Sequence, residues 1–314
     1  MPELLLKARP TLAQLRDRLR PPRPDGLELY LDLADVASEE AMCGVVRNLE
    51  AAALPPGFTL LIEGPVRSLD GAFFETARNA EADRELVRRL VAMAQRIGAR
   101  AINLHLIRPC PSPSAVDARA RAEELDACLP FTCFFVEQAA RVGVCATLEN
   151  MPPVLRMRQG GFFYSPVGMP AEDLVWLAER APGLRLCLDL SHAQLYVNAC
   201  ARAERAGPRA RFAPLLRRIA RLPLARSVRE YAERLGAALV TCHVANAGGM
   251  LGEGRSYGRG DLDLDALLPW LAPRVAYYVT ETLERRPERA ALMRAALRQM
   301  RRALQSPART IGQG

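Results

Sequence analysis

Short apolar runs alternate with longer amphipathic segments along the whole chain. The runs are rich in Val, Leu and Ala, and they cover residues 4–6, 27–31, 59–63, 101–106, 144–148, 184–188, 238–242 and 275–280. Strands that are buried on both faces of a parallel sheet have this nearly continuous apolar character. The segments between the runs are long enough for helices, so the alternation predicts a chain built from repeated strand–helix units.

The segments between the runs show a periodicity of their own. In the strongest of them, Leu86, Leu90, Met93 and Ile97 recur at the three- and four-residue spacing of one helix face. Similar patterns predict helices near residues 11–20, 38–53, 81–97, 116–142, 171–180, 212–221, 227–235, 264–271 and 288–304.

The number of units sets the expected fold. Eight strand–helix units in 314 residues predict an α/β protein, a single (β/α)₈ TIM barrel spanning residues 1–314 with a basic tail from about residue 305. An open doubly wound sheet is the alternative. No G-x-G-x-x-G motif follows an early strand, and this disfavours a dinucleotide-binding fold.

Composition narrows the class of protein. Half of the residues are hydrophobic, but no apolar run approaches the roughly 18 residues that cross a bilayer. The first residues have an early acid and too short an apolar stretch for a signal peptide, so we expect a soluble, cytoplasmic protein. The eight cysteines are scattered without a C-x-x-C pair, which favours reduced core residues over a zinc finger or a disulfide framework.

The formal net charge of +8 raises the question of a nucleic-acid partner. Lys7 is the only lysine, and the arginines are spread over predicted helix faces among acidic residues. This distribution favours an arginine-rich surface without nucleic acid, although the basic segment 285–309 keeps the alternative open. Composition does not determine the oligomeric state, and a homo-oligomer is one of the alternatives.

Residue types that bind divalent metals stand at the ends of the last four runs. These residues are Glu149, Asp189, His243 and Glu281. Because side chains alternate along a strand, Glu149 shares a side with Thr147, and His243 shares one with Thr241. Strand ends of a (β/α)₈ barrel meet at its C-terminal mouth, so the four side chains are expected to converge there.

Three carboxylates around one imidazole repel each other, and a divalent cation relieves that repulsion. A donor set of this kind suits one Mn²⁺, Mg²⁺ or Co²⁺ ion better than a structural zinc, with Zn²⁺ as an alternative. A single carboxylate at a strand end is commonly a helix cap or half of an ion pair. Four such residues on consecutive strands favour a metal site.

With these motifs the chain resembles the xylose-isomerase-like TIM-barrel superfamily, which holds sugar isomerases and epimerases and the endonuclease IV group. The resemblance covers essentially the whole chain. It is carried by Leu148-Glu149-Asn150, Asp189-Leu-Ser-His192, His243, Gly258-Arg-Gly-Asp261-Leu-Asp263 and Glu281. These motifs are specific for the superfamily and do not identify a substrate.

The resemblance implies roles for individual residues. In members that act on ketoses, the residues matching Glu149, Asp189, His243 and Glu281 hold one divalent metal. The residues matching Glu149 and Glu281 also serve there as acid and base beside a carbonyl. The residue matching His192 usually contacts a substrate oxygen.

Other polar residues near the predicted mouth are expected to contact the substrate. This expected set is His105, His192, Glu63, Asn150, Arg255 and Arg259. Arg255 and Arg259 belong to a Gly-rich stretch that suits a phosphate or a sugar hydroxyl, although that stretch is equally well explained as a flexible linker. For Asp32, at the end of the second run, an ordinary ion pair is as well supported as a place in the cavity.

Two departures from the family pattern restrict the function. Xylose isomerase itself needs a lysine near its metals, and Lys7 stands at the wrong end of the barrel sequence. The endonuclease IV group binds three zinc ions with several histidines, whereas the third run here ends in Glu63. Asp261 and Asp263 have no histidine beside them. His105 leaves room for a second metal, but a substrate contact or a buried polar role is favoured.

The sequence therefore predicts a metal-dependent isomerase or epimerase of carbohydrate metabolism, acting on a sugar or sugar phosphate. A phosphodiesterase that acts on abasic DNA is the alternative enzyme, motivated by the three histidines and the basic charge. A barrel that has lost catalysis and serves as a binding protein is the third hypothesis.

Overall fold

Parallel strands form a closed barrel in the computed structural model, which describes residues 1–156, 161–205, 207 and 212–305. The strands are β1 Glu3–Ala8, β2 Gly26–Tyr30, β3 Thr59–Glu63, β4 Ala101–His105, β5 Cys145–Glu149, β6 Arg185–Asp189, β7 Leu239–Val244 and β8 Tyr277–Thr280. Each strand pairs with the next along the chain, and β1 pairs with β8 to close the ring. The predicted (β/α)₈ architecture is confirmed.

Helices surround the barrel in alternation with the strands. They are α1 Leu12–Arg18, α2 Leu33–Val36, α3 Glu39–Ala52, α4 Glu81–Ile97, α5 Pro113–Asp117, α6 Arg121–Ala140, α7 Ala171–Arg180, α8 Leu190–Ala203, α9 Ala213–Ala220, α10 Val228–Leu235, α11 Leu264–Leu271 and α12 Ala291–Gln305. Among the described helices, none combines the length and the apolar character needed to cross a bilayer.

The first strand shows why the apolar runs are nearly continuous. Leu4 and Leu6 belong to the large core between the strands and the helices. Leu5 points the other way and joins a small separate apolar cluster. Both sides of the strand are buried, because one side packs on helices and the other lines the barrel axis.

The small cluster forms the floor of the functional site. It contains Leu5, Leu61, Ala101 and Val279. Each of these residues is followed two positions later by a polar one on the same side of the chain. These polar residues are Lys7, Glu63, Asn103 and Glu281. The barrel interior thus changes from apolar to strongly polar over one pleat of the sheet.

Some elements differ from the prediction. The segment 116–142 is divided, because α5 ends at Asp117 and α6 begins at Arg121. Helix α8 was missed, because it follows β6 without a loop and Asp189 both ends the strand and caps the helix. Two hairpins, Leu155–Arg156 with Phe162–Phe163 and Asn246–Gly248 with Gly252–Arg255, were also missed. The basic tail expected from about residue 305 lies outside the described residues from residue 306 onward.

Candidate functional site

Four potential metal ligands converge at the C-terminal end of the barrel. Glu149, Asp189 and His243 lie in strands β5, β6 and β7, and Glu281 directly follows β8. Asp189 and His243 are partners in the strand register. One donor atom from each of the four residues lies within 4.8 Å of the others. We call these four residues the tetrad.

His243 is the buried centre of the tetrad. Its Nδ1 lies 2.7 Å from Glu281 Oε2 and 3.3 Å from Glu149 Oε2. Its Nε2 lies 2.9 Å from an oxygen of Glu28, which is buried in strand β2. Burial by itself lowers the pKa of His243, but the surrounding negative groups outweigh burial and raise it well above its usual value. When Nε2–H donates to Glu28, Nδ1 is the nitrogen available to a metal ion.

Glu149 is held by a short chain of buried hydrogen bonds. Asn103 Nδ2 donates to Glu149 Oε2 at 2.5 Å, and Thr147 Oγ1 donates to Asn103 Oδ1 at 2.9 Å. Burial alone raises the pKa of Glu149, but His243 and His105 outweigh burial and lower it to about 2. The carboxylate is therefore ionised and has one oxygen fixed in position.

Asp189 is oriented by the start of helix α8 and by Asn150. Its carboxylate accepts the His192 N–H at 2.6 Å as the helix cap. The Asn150 side chain accepts the Asp189 N–H at 2.7 Å and donates to the Asp189 carbonyl at 3.1 Å. Burial raises the pKa of Asp189 to about 7, although His192 acts in the opposite direction. Asn150 was expected to contact the substrate, but its buried amide binds the backbone of a tetrad residue.

Lys7 lies inside the same cluster, so the expectation that its place in the sequence keeps it from the metal site is wrong. Its Nζ forms ion pairs with Glu63 Oε2 and Glu281 Oε1, and 12% of its side chain is exposed. The first strand neighbours the last strand when the barrel closes, so the N-terminal position of a residue does not separate it from Glu281. Burial lowers the pKa of Lys7, but Glu281 and Glu63 outweigh it and hold the pKa well above its usual value.

Glu63 and His105 lie on the side of the tetrad that faces β3 and β4. His105 Nε2 lies 3.7 Å from Glu63 Oε1 and 3.9 Å from Glu149 Oε2. Burial raises the pKa of Glu63 well above its usual value, and Lys7 offsets only part of that effect. Both residues belong to the set that was expected to contact the substrate, and both line the barrel axis beside the tetrad.

His192 lies on the opposite side, in the first turn of α8. Its Nδ1 lies 2.8 Å from the Asn150 carbonyl, 3.4 Å from Glu149 Oε1, and its Nε2 lies 3.3 Å from Glu253 Oε1. A carbonyl and a carboxylate only accept hydrogen bonds, so both ring nitrogens carry protons when both contacts are made. Burial lowers the pKa of His192, but Asp189 and Glu253 raise it well above its usual value.

The remaining sequence candidates lie apart from these contacts. Arg255 and Arg259 are exposed, and Arg255 packs on Gly248 and Gly252 of its own hairpin. A cavity of about 400 Å³ beside α8 is lined in part by Arg255. Asp32 caps α2 and pairs with Arg9 at 3.0 Å. Asp261 accepts a hydrogen bond from Asn198, and Asp263 caps α11.

Sequence reasoning missed Lys7, Glu28 and Glu253 as members of the site. Glu28 had a recognisable signal, because it is a single carboxylate within the apolar strand Gly26–Tyr30. Buried carboxylates of this kind require a partner. Glu253 had no local signal, because a hairpin brings it to His192.

The site fits a divalent cation by two observations. Glu149 Oε1, His243 Nδ1 and Glu281 Oε2 are buried and make no hydrogen bond of normal geometry within the described residues. The cluster also contains five buried or half-buried carboxylates and only one lysine, Lys7; the carboxylates are Glu28, Glu63, Glu149, Asp189 and Glu281. A divalent ion supplies both the missing partner and the missing positive charge.

The family of the chain follows from its sequence over most of the barrel. A family model described as xylose isomerase-like TIM barrel matches residues 25–303. The chain belongs to this family. No curated protein matches the chain. The resemblance to the xylose-isomerase-like barrels seen in the strand-end motifs is thus confirmed.

Several solved structures resemble the chain over nearly its full length. A 3-keto-D-glucoside 4-epimerase from E. coli is 14% identical, with a TM-score of 0.63 over 96% of this chain and 100% of that chain. A D-psicose 3-epimerase from Clostridium cellulolyticum H10 is 12% identical, with a TM-score of 0.64 over 97% and 100%. A family 2 AP endonuclease from Brucella melitensis is 15% identical, with a TM-score of 0.60 over 93% and 97%. At these identities the likeness establishes the fold.

Proposed function

We propose that the protein is a divalent-metal-dependent isomerase or epimerase of a sugar or sugar phosphate. The observation that carries the proposal is the tetrad, whose donor atoms lie within 4.8 Å of one another at the barrel mouth. Three carboxylates and one imidazole suit Mn²⁺, Mg²⁺ or Co²⁺, with Zn²⁺ as an alternative. The bound ion supplies Lewis-acid polarisation of a carbonyl. The sugar epimerases among structures of the same fold support this choice of reaction.

Glu149 and Glu281 are the proposed acid and base. Each has one anchored carboxylate oxygen, since Asn103 binds Glu149 Oε2 and Lys7 binds Glu281 Oε1. The other oxygen of each is buried and makes no hydrogen bond of normal geometry with any described residue. In an isomerisation, one of these oxygens accepts a proton from the carbon beside the carbonyl, and the resulting carboxyl group returns that proton to the adjacent carbon. In an epimerisation, the other glutamate first takes up a proton from solvent and then delivers it to the opposite face of the carbon.

The substrate is proposed to lie across the exposed edge of the tetrad. Glu281 is 28% exposed at its side chain, so this edge is open to the barrel mouth. His105 and His192 flank Glu149 on opposite sides and are the proposed contacts for hydroxyl groups. Arg255 and Arg259 are exposed on the segment that follows β7, where they would serve a phosphate group of the substrate.

Hydrogen–deuterium exchange tests the proposal directly. Protein loaded with Mn²⁺ is incubated in D₂O with a panel of ketoses and ketose phosphates, and deuterium incorporation is measured by mass spectrometry. We expect incorporation at a carbon beside the carbonyl of at least one sugar, and its loss in Glu149→Gln and Glu281→Gln. Absence of any bound divalent ion after titration contradicts the proposal. Measurable turnover excludes a purely binding role for the barrel.

Phosphodiester cleavage of abasic DNA is the second candidate function. The observation in its favour is that ring nitrogens of all three histidines lie within 3.9 Å of Glu149. The family 2 AP endonuclease of the same fold supports it as well. A nicking assay on an abasic duplex with Mn²⁺ or Zn²⁺ separates the two functions. Cleavage that disappears in Glu149→Gln favours the phosphodiesterase.

A further inference from the structure

Lys7 places a single positive charge between two carboxylates at the centre of the barrel. Its Nζ contacts Glu63 Oε2 on one side and Glu281 Oε1 on the other. Glu63 is buried in β3, and Glu281 belongs to the tetrad. An ammonium group is protonated at neutral pH, so this nitrogen acts as a cation fixed to the chain.

Glu63, one of the two partners of this nitrogen, belongs to a second set of potential metal ligands. Glu28, Glu63 and His243 bring one donor atom each within 4.8 Å of one another. The other oxygen of Glu63 faces His105 Nε2 at 3.7 Å, and the same nitrogen lies 3.9 Å from Glu149 Oε2. The carboxylates of Glu28 and Glu63 are both buried, and their partners in this cluster are His243 Nε2 for Glu28 and Lys7 Nζ for Glu63. Without Lys7, these carboxylates and His105 would form a site for a second divalent ion that shares Glu149 with the tetrad.

The geometry points to a specific role for Lys7: its ammonium occupies the position of a second divalent ion and keeps the metal centre mononuclear. Ions in two-metal sites lie about 3.5–4 Å apart and share bridging ligands. A lysine nitrogen bound to both Glu63 and Glu281 repels a second cation there and removes one oxygen of Glu63 from coordination. This inference depends on one part of the proposed function, namely that the tetrad binds one divalent ion.

The distinction affects the chemistry that the barrel can perform. Paired metal ions stabilise both the attacking and the leaving oxygen in the displacement reactions of phosphodiesters. Polarising one carbonyl and moving one proton needs a single ion and nearby carboxylates. Lys7 therefore restricts the site to proton transfer beside one polarised carbonyl. Without Lys7, the arrangement of Glu63, His105 and Glu149 would suit the two-ion displacement reaction.

Counting bound metal tests the role of Lys7 without any measurement of activity. Metal-free wild-type protein, Lys7→Met and Lys7→Arg are titrated with Mn²⁺, and the bound metal is measured after removal of free ions. We expect one ion per chain in the wild type and in Lys7→Arg, which keeps the charge. We expect two ions per chain in Lys7→Met, which keeps an unbranched side chain but removes the charged group.

Electron paramagnetic resonance identifies where the second ion binds. An ion near His105 and Glu63 shares Glu149 with the first ion, so Lys7→Met should give the spectrum of an exchange-coupled Mn²⁺ pair. The wild type should give the spectrum of an isolated Mn²⁺ ion. The double variant Lys7→Met/Glu63→Gln should return to one ion, because it lacks a carboxylate of the second site. Arg100→Met, which removes an exposed cation paired with Glu3, is the matched control and should bind one ion.

Each result has a distinct meaning. One ion in natively folded Lys7→Met, or a coupled pair in the wild type, overturns the role of Lys7 and leaves the proposed function intact. No ion in any protein contradicts the proposed function itself. The wild-type spectrum at saturating Mn²⁺ needs no variant, so a coupled pair there overturns the role of Lys7 even when Lys7→Met does not fold.

Discussion

Lys7 and Glu281 form an ion pair across the line where β1 and β8 close the barrel, although 274 positions separate them in the sequence. The pair joins the first and last strands of the barrel at the tetrad. A change of charge in the first strand therefore acts directly on a residue that follows the last strand.

Replacing Glu149 by Gln should abolish both metal binding and turnover. The amide keeps the size of the side chain but loses the charge that a divalent ion and a transferred proton require. We expect at least a 100-fold loss of turnover, about the contribution of one acid–base group. Mn²⁺ titration and deuterium exchange measure the two effects. Glu137→Gln, at a surface position whose side chain is 59% exposed, is the control and should match the wild type.

Removing the metal should destabilise the folded protein. The carboxylates of the tetrad repel each other without an ion, and a ligand that binds only the folded state stabilises it. At Mn²⁺ concentrations about 100 times the dissociation constant, we expect a gain of about 2.7 kcal/mol. Urea unfolding of metal-free and Mn²⁺-loaded protein measures this gain. Asp189→Asn/Glu281→Gln should show little of it, and an equal gain in that double variant would contradict a site at the tetrad.

Replacing Glu28 by Gln should weaken metal binding without unfolding the barrel. Glu28 Oε1 lies 2.9 Å from His243 Nε2, and a proton shared in this contact leaves Nδ1 facing the tetrad. Loss of such an outer partner reduces metal affinity by about 10- to 100-fold. Isothermal titration calorimetry with Mn²⁺ measures the affinity, and circular dichroism monitors the fold. Glu40→Gln on the exposed face of α3 is the control. Unchanged affinity in Glu28→Gln would exclude this orienting role.

Asn150→Ala should reduce stability more than a typical polar substitution. The Asn150 amide makes two buried hydrogen bonds to the Asp189 backbone, which ties β5 to the end of β6. Losing both, and leaving their partners unsatisfied, should cost about 2–3 kcal/mol. Asn48→Ala loses one half-buried hydrogen bond to Pro10 and should cost about 1 kcal/mol. Urea unfolding compares the two, and equal costs would count against the structural role of Asn150.

Asp17 should stabilise the fold in a pH-dependent manner. It accepts the Ala290 N–H and an Arg294 N–H, both at 2.7 Å, and links α1 to the start of α12. Burial raises the pKa of Asp17, but these hydrogen bonds outweigh burial and lower the pKa below its usual value. The folded pKa is therefore below the unfolded one. The stabilisation is complete above the unfolded value and is lost as the pH falls through the folded value.

Asp17→Asn should thus cost about 2 kcal/mol at pH 7 and less at pH 3. Urea unfolding at both pH values gives the comparison. Asp126→Asn, at an exposed position of α6, is expected to have little effect at either pH. A cost for Asp17→Asn that does not change between the two pH values would show that the charge of Asp17 is not the source of its contribution.

Much of the barrel could be predicted from local sequence patterns. Apolar runs identified the strands, and the three- and four-residue spacing identified most of the helices. Alternation along the strands also placed Glu149, Asp189 and His243 on the inner side at the strand ends. The register matches Asp189 with His243, whereas Glu149 lies opposite Cys187, two residues before Asp189. These predictions succeed because the period of a strand or helix and the burial of its faces are written into neighbouring residues.

The sequence by itself determined the repeated strand–helix units and the strand-end residues that form the tetrad. The tertiary structure decided what surrounds the tetrad. Closure of the ring brings Lys7 to Glu281, β2 presents Glu28 to His243, and a hairpin brings Glu253 to His192. Local patterns report which side of an element is buried. They do not report which distant element lies opposite, because that depends on how the eight strands close in space.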